Sequence, residues 1–192
     1  MIFTIGHSTH PIERFVTLLQ RHGIMLVADV RSSPYSRFNP QFNRERLRTA
    51  LQDAGIRYLF LGKELGARSK NPECYENHRV SYERLANTQL FKDGLQQLQA
   101  KQMTHTVALM CAEKEPLNCH RTILVARHLE EAGISVTHIL DDGRSESHAS
   151  AMSRLQQQLK LPQHDMFRSD AELVQEAYQI QAQRIAYIDK NA

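Results

Sequence analysis

Three cysteines in 192 residues are too few, and odd in number, for the disulfide framework of a secreted domain. Reduced thiols with catalytic, redox or metal-binding roles are the expectation. No stretch approaches the roughly 20 apolar residues that a bilayer crossing requires, which argues against a membrane span and a membrane partner. The opening MIFTIGHSTH has no basic leader before its short apolar run and reaches Gly6 and His7 too soon for a secretory segment, so a cytoplasmic location is expected. The sequence also lacks G-x-G-x-x-G, the P-loop lysine motif and G-x-S-x-G, since GHST at 6–9 is not a nucleophile elbow. Ordinary dinucleotide, NTPase and serine hydrolase readings lose their signatures, and no motif names a cofactor. Without an internal repeat, a glycine-rich linker or a low-complexity block, the simplest organisation is one α/β domain over residues 1–192. Residues 143–192 would form a helical extension packed on it.

What is present suits a folded chain. Hydrophobic residues make up 41% and charged residues 23%, too apolar a balance for disorder. The formal net charge is only +3, but it is unevenly placed. Residues 31–70 hold nine Lys or Arg (Arg31, Arg37, Arg44, Arg46, Arg48, Arg57, Lys63, Arg68, Lys70) against three acids (Glu45, Asp53, Glu64). That excess fits either an anionic partner or a solvated basic face.

Hydrophobic periodicity gives the architecture. MIFTI and IMLVADV read as buried strands of a parallel sheet. Between them, PIERFVTLLQRHG places Ile12, Phe15, Val16 and Leu19 at helical spacing, with Pro11 in the first turn and His10 as N-cap. NRERLRTALQDAG is a second helix capped by Asn43, and IRYLFLG a third strand. Residues 62–82 lack sustained periodicity and read as a surface loop or lid. A helix through FKDGLQQLQAK leads to the strand HTVALMCAE, then to the helix CHRTILVARHLEEAG and the strand ISVTHIL. This alternation predicts an α/β, Rossmann-like layered fold with a mostly parallel central sheet and a C-terminal helical extension. In that extension Leu173, Val174, Ala177, Ile180 and Ile185 form an apolar stripe, which fits core packing or a homodimer contact.

In open α/β sheets ligands bind beyond the carboxyl ends of the strands. Four polar clusters fall there: GHST, DVRSSPYSR, CAEKEPLNCHR and DDGR. Asn118 reads as an N-cap that puts Cys119, His120 and Arg121 in a first helical turn, where the helix dipole and Arg121 favour thiolate. Cys119 is then a candidate nucleophile, and Cys111 a packed or partnering thiol. The same helix start, with Arg31, Ser8 and Ser32 nearby, could hold a phosphate without either sulfur. His7 and Asp29 could move or orient protons, or simply be satisfied structural groups. Cys111, Cys119 and His120, with His7 as a fourth, could ligate a metal. The seven residues between the cysteines do not match the short knuckles of structural zinc sites, so no metal is expected. His105, His128 and His138 are read as structural.

With TIGHS, VADVRSSPYSRF, YLFLGKELG, MCAEKEPLNCHR and VTHILDDG in view, the chain resembles the domain-of-unknown-function 488 family over most of residues 2–148. The resemblance implies a Rossmann-like α/β domain whose signature positions include Gly6, His7, Asp29, Arg31, Glu113, Cys111, Cys119, His120 and Arg121, and it marks His148 as the histidine after the last strand. One departure is Ala67, which stands in ELGAR where a second glycine is usual. A positive φ there would require a different loop. Some members are labelled DNA repair proteins, which agrees with the basic region.

The expectation is an enzyme that binds a phosphate-bearing ligand, a nucleotide or nucleic acid, at the strand ends. In that reading His7, Asp29, Cys119 and Glu113 carry the chemistry, and Ser8, Arg31, Ser32, Arg37, His120 and Arg121 hold the anion. Arg31→Ala and Arg121→Ala would weaken binding without unfolding the protein. The alternatives are a non-catalytic nucleic-acid-binding or sensing module, and a thiol or sulfur-handling enzyme using Cys119.

Overall fold

A computed structural model describes residues 1–189. Its central sheet has six strands: β1 (Ile2–Gly6), β2 (Leu26–Asp29), β3 (Arg57–Phe60), β6 (Val107–Cys111), β7 (Val136–Ile139) and β8 (Ser145–Ser147). Their order is β3-β2-β6-β1-β7-β8. The first five are parallel, and β8 runs antiparallel to β7. The α/β layered fold expected from the alternation of strands and helices is therefore the observed one.

The pleat of each strand sorts its side chains between two cores. Leu26, Ala28 and Val30 join Val107, Leu109 and Cys111 in one core, while Val27 joins Ala108 and Met110 in the other. Such strands are apolar at nearly every position because helices cover both faces. The helices α1 (Ile12–Arg21) and α2 (Arg44–Asp53) supply Phe15, Leu18, Leu19, Leu47 and Leu51 to the second core. The opposite face is covered by α4 (Gln89–Gln102), by a π-helical turn (Arg121–Ala126) that continues as α5 (Arg127–Glu131), and by α6 (His148–Leu159) and α7 (Asp170–Ile185). Each fully buried Leu, Ile or Phe contributes about 1.5–3 kcal/mol.

This order reverses the winding of the chain at one place. β1 and β6 are neighbours, yet the chain leaves β1 through α1 toward β2 and leaves β6 through α5 toward β7, on opposite faces. Their carboxyl ends form the switch point where α/β sheets place ligands.

Several local expectations are corrected. Pro11, not His10, occupies the cap position of α1, and Ile12 begins the helix. The His10 ring instead lies 3.0 Å from Asp141. Asn43 does precede α2, but its Oδ1 accepts from Ser36 N at 2.7 Å rather than from its own helix. Residues 62–82 are not a structureless loop. They contain a 3-10 turn (Pro72–Cys74), a two-stranded hairpin of β4 (Tyr75–Glu76) and β5 (Arg79–Val80), and the start of α3 (Tyr82–Asn87). Leu65, Cys74, Val80 and Tyr82 pack into the core. Ala67 has no positive φ, so the loop accommodates it without strain. The close approach is at Gly66, where a Cβ would stand 2.3 Å from the Gly62 carbonyl oxygen and 2.5 Å from Ser32 Oγ.

The apolar stripe of the last helix faces inward. Leu173 and Ala177 are buried, and Val174 and Ile185 pack against the core. A polar chain reinforces that docking. Thr4 Oγ1 meets His138 Nδ1 at 2.8 Å, His138 Nε2 meets His148 Nδ1 at 3.1 Å, and His148 Nε2 meets the Tyr178 hydroxyl. Both histidines are held neutral by burial, which lowers His148 to about 4. Two neutral imidazoles offer one donor and one acceptor each, so one unbroken direction of donation satisfies every member. No helix among the described residues is long and apolar enough to cross a membrane.

Candidate functional site

Two polar clusters sit at the carboxyl edge of the sheet, one on each face. The first gathers His7, Asp29 and Arg31. Asp29 is fully buried. Its two oxygens accept from Arg31 Nε at 2.9 Å and Nη2 at 2.7 Å, a bidentate pair, and Oδ2 also accepts from the Tyr58 hydroxyl at 2.8 Å. Arg31 Nη2 donates to the Phe42 carbonyl at 2.9 Å, and Nη1 lies 3.2 Å from His7 Nε2. That contact requires Nε2 to accept, so the proton of His7 is on Nδ1, which donates to the Ser8 carbonyl at 2.8 Å. Burial and the Arg31 charge push His7 down to about 4, and its ring stacks on Phe42 with centroids 4.2 Å apart. Burial alone would lower Arg31, but the Asp29 carboxylate outweighs it and holds the charge. Burial and then Asp29 raise Tyr58.

The second cluster gathers Cys111, Glu113, Cys119 and His120. Cys111 ends β6 and belongs to the core on the α4 and α5 side. Glu113 Oε2 is 3.0 Å from Cys111 Sγ and 3.2 Å from Cys119 Sγ. His120 Nδ1 is 3.7 Å from Cys111 Sγ and 3.9 Å from Cys119 Sγ, while its Nε2 donates to the Val30 carbonyl at 3.0 Å. Both thiols and the imidazole are buried; Glu113 is the exposed member of the group.

The expected capping of this segment is also corrected. Pro116–Asn118 forms a 3-10 turn whose cap is Glu115, with its carboxylate accepting from Leu117 N at 3.1 Å. The turn uses up Asn118, whose Oδ1 accepts from Gln181 Nε2 at 3.1 Å. Cys119 is extended, and its own carbonyl accepts from Thr122 N and Ile123 N. The helix thus begins one residue later than expected, and Cys119 stands at its threshold.

The proton balance of this cluster is unequal. Burial opposes a Cys119 thiolate, but the Cys111 thiol, the Arg121 guanidinium and the His120 imidazole together outweigh it and hold Cys119 below an ordinary thiol. Contact with Cys119 and burial raise Cys111. Burial and the Cys119 sulfur raise Glu113, whose carboxyl lies among buried groups although much of the residue is exposed. Burial would lower His120, but Cys119 and Glu113 raise it. Of the two sulfurs, Cys119 is the one whose surroundings favour negative charge, while those of Cys111 and Glu113 favour the protonated form.

Arg121 is fully buried beneath these groups. Its Nη1 donates to the Glu113 carbonyl at 2.7 Å and Nη2 to the Lys114 carbonyl at 3.3 Å, while Nε has no hydrogen-bond partner among the described residues. Gly6 makes room for this arrangement. A Cβ there would stand 1.9 Å from the Glu113 carbonyl oxygen and 3.2 Å from Arg121 Nη2.

The fold therefore brings together His7, Asp29 and Arg31 in one group, and Glu113, Cys119 and His120 in another. Ser8, with φ at 49°, donates its N–H to the Ala112 carbonyl at 3.0 Å. Ser32 Oγ accepts from Arg68 N at 2.9 Å. Arg37 stands apart, exposed, with its guanidinium 4.7 Å over the exposed Phe38 ring. Arg31→Ala and Arg121→Ala are expected to cost stability as well, because both guanidinium groups are buried and bonded to protein acceptors. Tyr58 and Phe42 were missed. The one signal for Tyr58 is its place on β3 opposite Val27, two residues before Asp29 on β2.

A family model described as Domain of unknown function DUF488 matches residues 11–129. Among curated proteins, none matches this chain. That match spans more than half of the chain, including Asp29, Arg31, Cys111, Glu113 and the Cys119–Arg121 run, and so the protein belongs to the DUF488 family.

Proposed function

We propose that this protein is a thiol-dependent enzyme whose reacting atom is the sulfur of Cys119. The observation that carries the reading is the meeting of two thiols, a carboxyl and an imidazole at one strand end, with Glu113 Oε2 in contact with both sulfurs. A nucleophilic thiol needs negative charge on sulfur and a proton source for the leaving group. In the step this arrangement suits, the Cys119 thiolate takes group X from a donor X–Y, the S–X bond forms as X–Y breaks, and Glu113 gives its proton to the departing Y. Cys111 is then placed to take X from Cys119, the new S–X bond forming as the old one breaks and the Cys111 proton passing to the Cys119 sulfur. Glu113, the exposed member, marks the side from which the donor approaches.

The test is competitive alkylation of the full chain at neutral pH, with modified cysteines mapped by mass spectrometry. Cys74, equally buried and outside the cluster, is the internal control. Cys119 is expected to react at least about tenfold faster. Equal rates for Cys119 and Cys74 would remove the nucleophile.

A second reading is favoured by one surface feature. The loop between β2 and α2 holds Tyr35 and Phe38 at 59% and 78% exposure, and Ser36 Oγ accepts from the N–H groups of Phe38 and Asn39. Arg37 lies on this loop, and Arg46, Arg48, Lys63, Arg68 and Lys70 are exposed on the adjoining segments. Rigid exposed aromatics among cations suit stacking on bases and pairing with phosphates. A nucleic-acid or other phosphate-bearing partner on this rim would be marked by oligonucleotide binding that weakens steeply with added salt.

A further inference from the structure

Seven residues separate Cys111 from Cys119 in the sequence, a spacing foreign to zinc knuckles, but the fold cancels that separation. Cys111 Sγ, Cys119 Sγ and His120 Nδ1 lie within 4.8 Å of one another. Around a tetrahedral zinc ion, with Zn–S of about 2.3 Å and Zn–N of about 2.0–2.1 Å, a sulfur and a nitrogen stand about 3.5 Å apart. The observed separations of 3.7 and 3.9 Å need to close by only a few tenths of an ångström.

The orientation of the imidazole is already set. His120 Nε2 donates to the Val30 carbonyl, which leaves the Nδ1 lone pair facing the sulfurs, as in sites where a backbone carbonyl fixes a ligating histidine. Glu113 Oε2 touches both sulfurs but lies outside the group formed with His120 Nδ1, so it becomes a fourth donor only by moving toward the imidazole. The buried Arg121 guanidinium sits beneath the cluster and bonds the Glu113 carbonyl, so it offsets the negative charge of two thiolates and a carboxylate around a dication. Two sulfurs and one imidazole select a borderline-soft ion over magnesium or calcium.

We propose that Cys111, Cys119 and His120 bind a zinc-class divalent ion, with Glu113 as a displaceable fourth ligand. On binding, the ion displaces to solvent the protons that the two sulfurs, the carboxyl and the Nδ1 atom share, and swinging out the exposed Glu113 opens a coordination position for a ligand. The proposal deepens the thiol reading by naming the form in which the sulfurs are held. It rests on that reading only in taking this cluster as the working site.

The test is titration of the reduced, chelator-treated full chain with cobalt(II), followed by zinc(II). The expected result is about one equivalent of cobalt bound with thiolate-to-metal charge-transfer absorption and tetrahedral ligand-field bands, both bleached by zinc. The charge-transfer band should fall in Cys111→Ser and in Cys119→Ser. His120→Gln should weaken binding at least about tenfold, and Glu113→Gln should keep the band. Circular dichroism of each variant separates lost ligation from lost folding. Absence of thiolate charge transfer in the folded protein, or its persistence in the Cys111→Ser/Cys119→Ser double variant, would overturn the site. Fast Cys119 alkylation without a cobalt band would sink the metal and leave the nucleophile. A cobalt band with Cys119 no faster than Cys74 in the stripped protein would do the reverse.

Discussion

Asp29 is a carboxylate with no exposed surface, and Arg31 is its only charged hydrogen-bond partner among the contacts described above. Taking a charge out of water costs several kcal/mol, and removing one member of a buried pair leaves that cost uncompensated. Arg31→Ala is therefore expected to destabilise the protein by about 3–5 kcal/mol, measured as a fall in the urea midpoint. A loss below about 1 kcal/mol would mean that the pair contributes no more than a surface ion pair. At this scale the sequence was partly legible. His7 and Asp29 stand out because polar residues at the ends of apolar strands must face the sheet edge, and Cys119 and Arg121 because they open the helix that follows a strand-end loop. Phe42 and Tyr58 do not, because an aromatic residue in an apolar setting looks the same whether it packs or touches a functional group.

Among the elements, the segment from Cys111 to the π-helical turn depends most on its neighbours. The Glu113 carbonyl lies where a side chain at position 6 would go, so Gly6→Ala must push that segment off β1. Overpacking of this kind costs about 1–3 kcal/mol. The displaced segment should also expose its sulfurs, so that Cys111 and Cys119 both alkylate faster than in the parent protein. Unchanged alkylation in Gly6→Ala would show that the segment tolerates the extra methyl group. The strands and long helices were legible because strands buried on both faces are apolar runs and helices repeat every 3.6 residues. The start of the Cys119 helix was not, since Glu115 and Pro116 nucleate a 3-10 turn that outcompetes Asn118 as cap. The two-residue strands β4 and β5 and the polar β8 carry no periodicity to read.

For the molecule as a whole, burial of neutral histidines sets how stability depends on acidity. His7 and His148 titrate near 4 when folded and near 6.5 when unfolded. Between those values the unfolded chain binds more protons, so stability is full above about 6.5 and falls as pH drops toward 4. The combined loss should reach several kcal/mol, visible as a declining urea midpoint from pH 7 to pH 4.5. A flat profile would show that these rings are solvated in the native state. The layered fold was legible from the alternation of elements. The sheet order was not, because which strands pair depends on contacts between residues far apart in sequence, such as Gly6 with Cys111. The two polar groups on either side of this sheet are also tied through the backbone. The peptide carbonyl that His120 grips belongs to Val30, and the next residue along the chain is Arg31. Substitutions in either group should therefore be epistatic, with a change at the thiols tolerated only alongside an adjustment near Asp29.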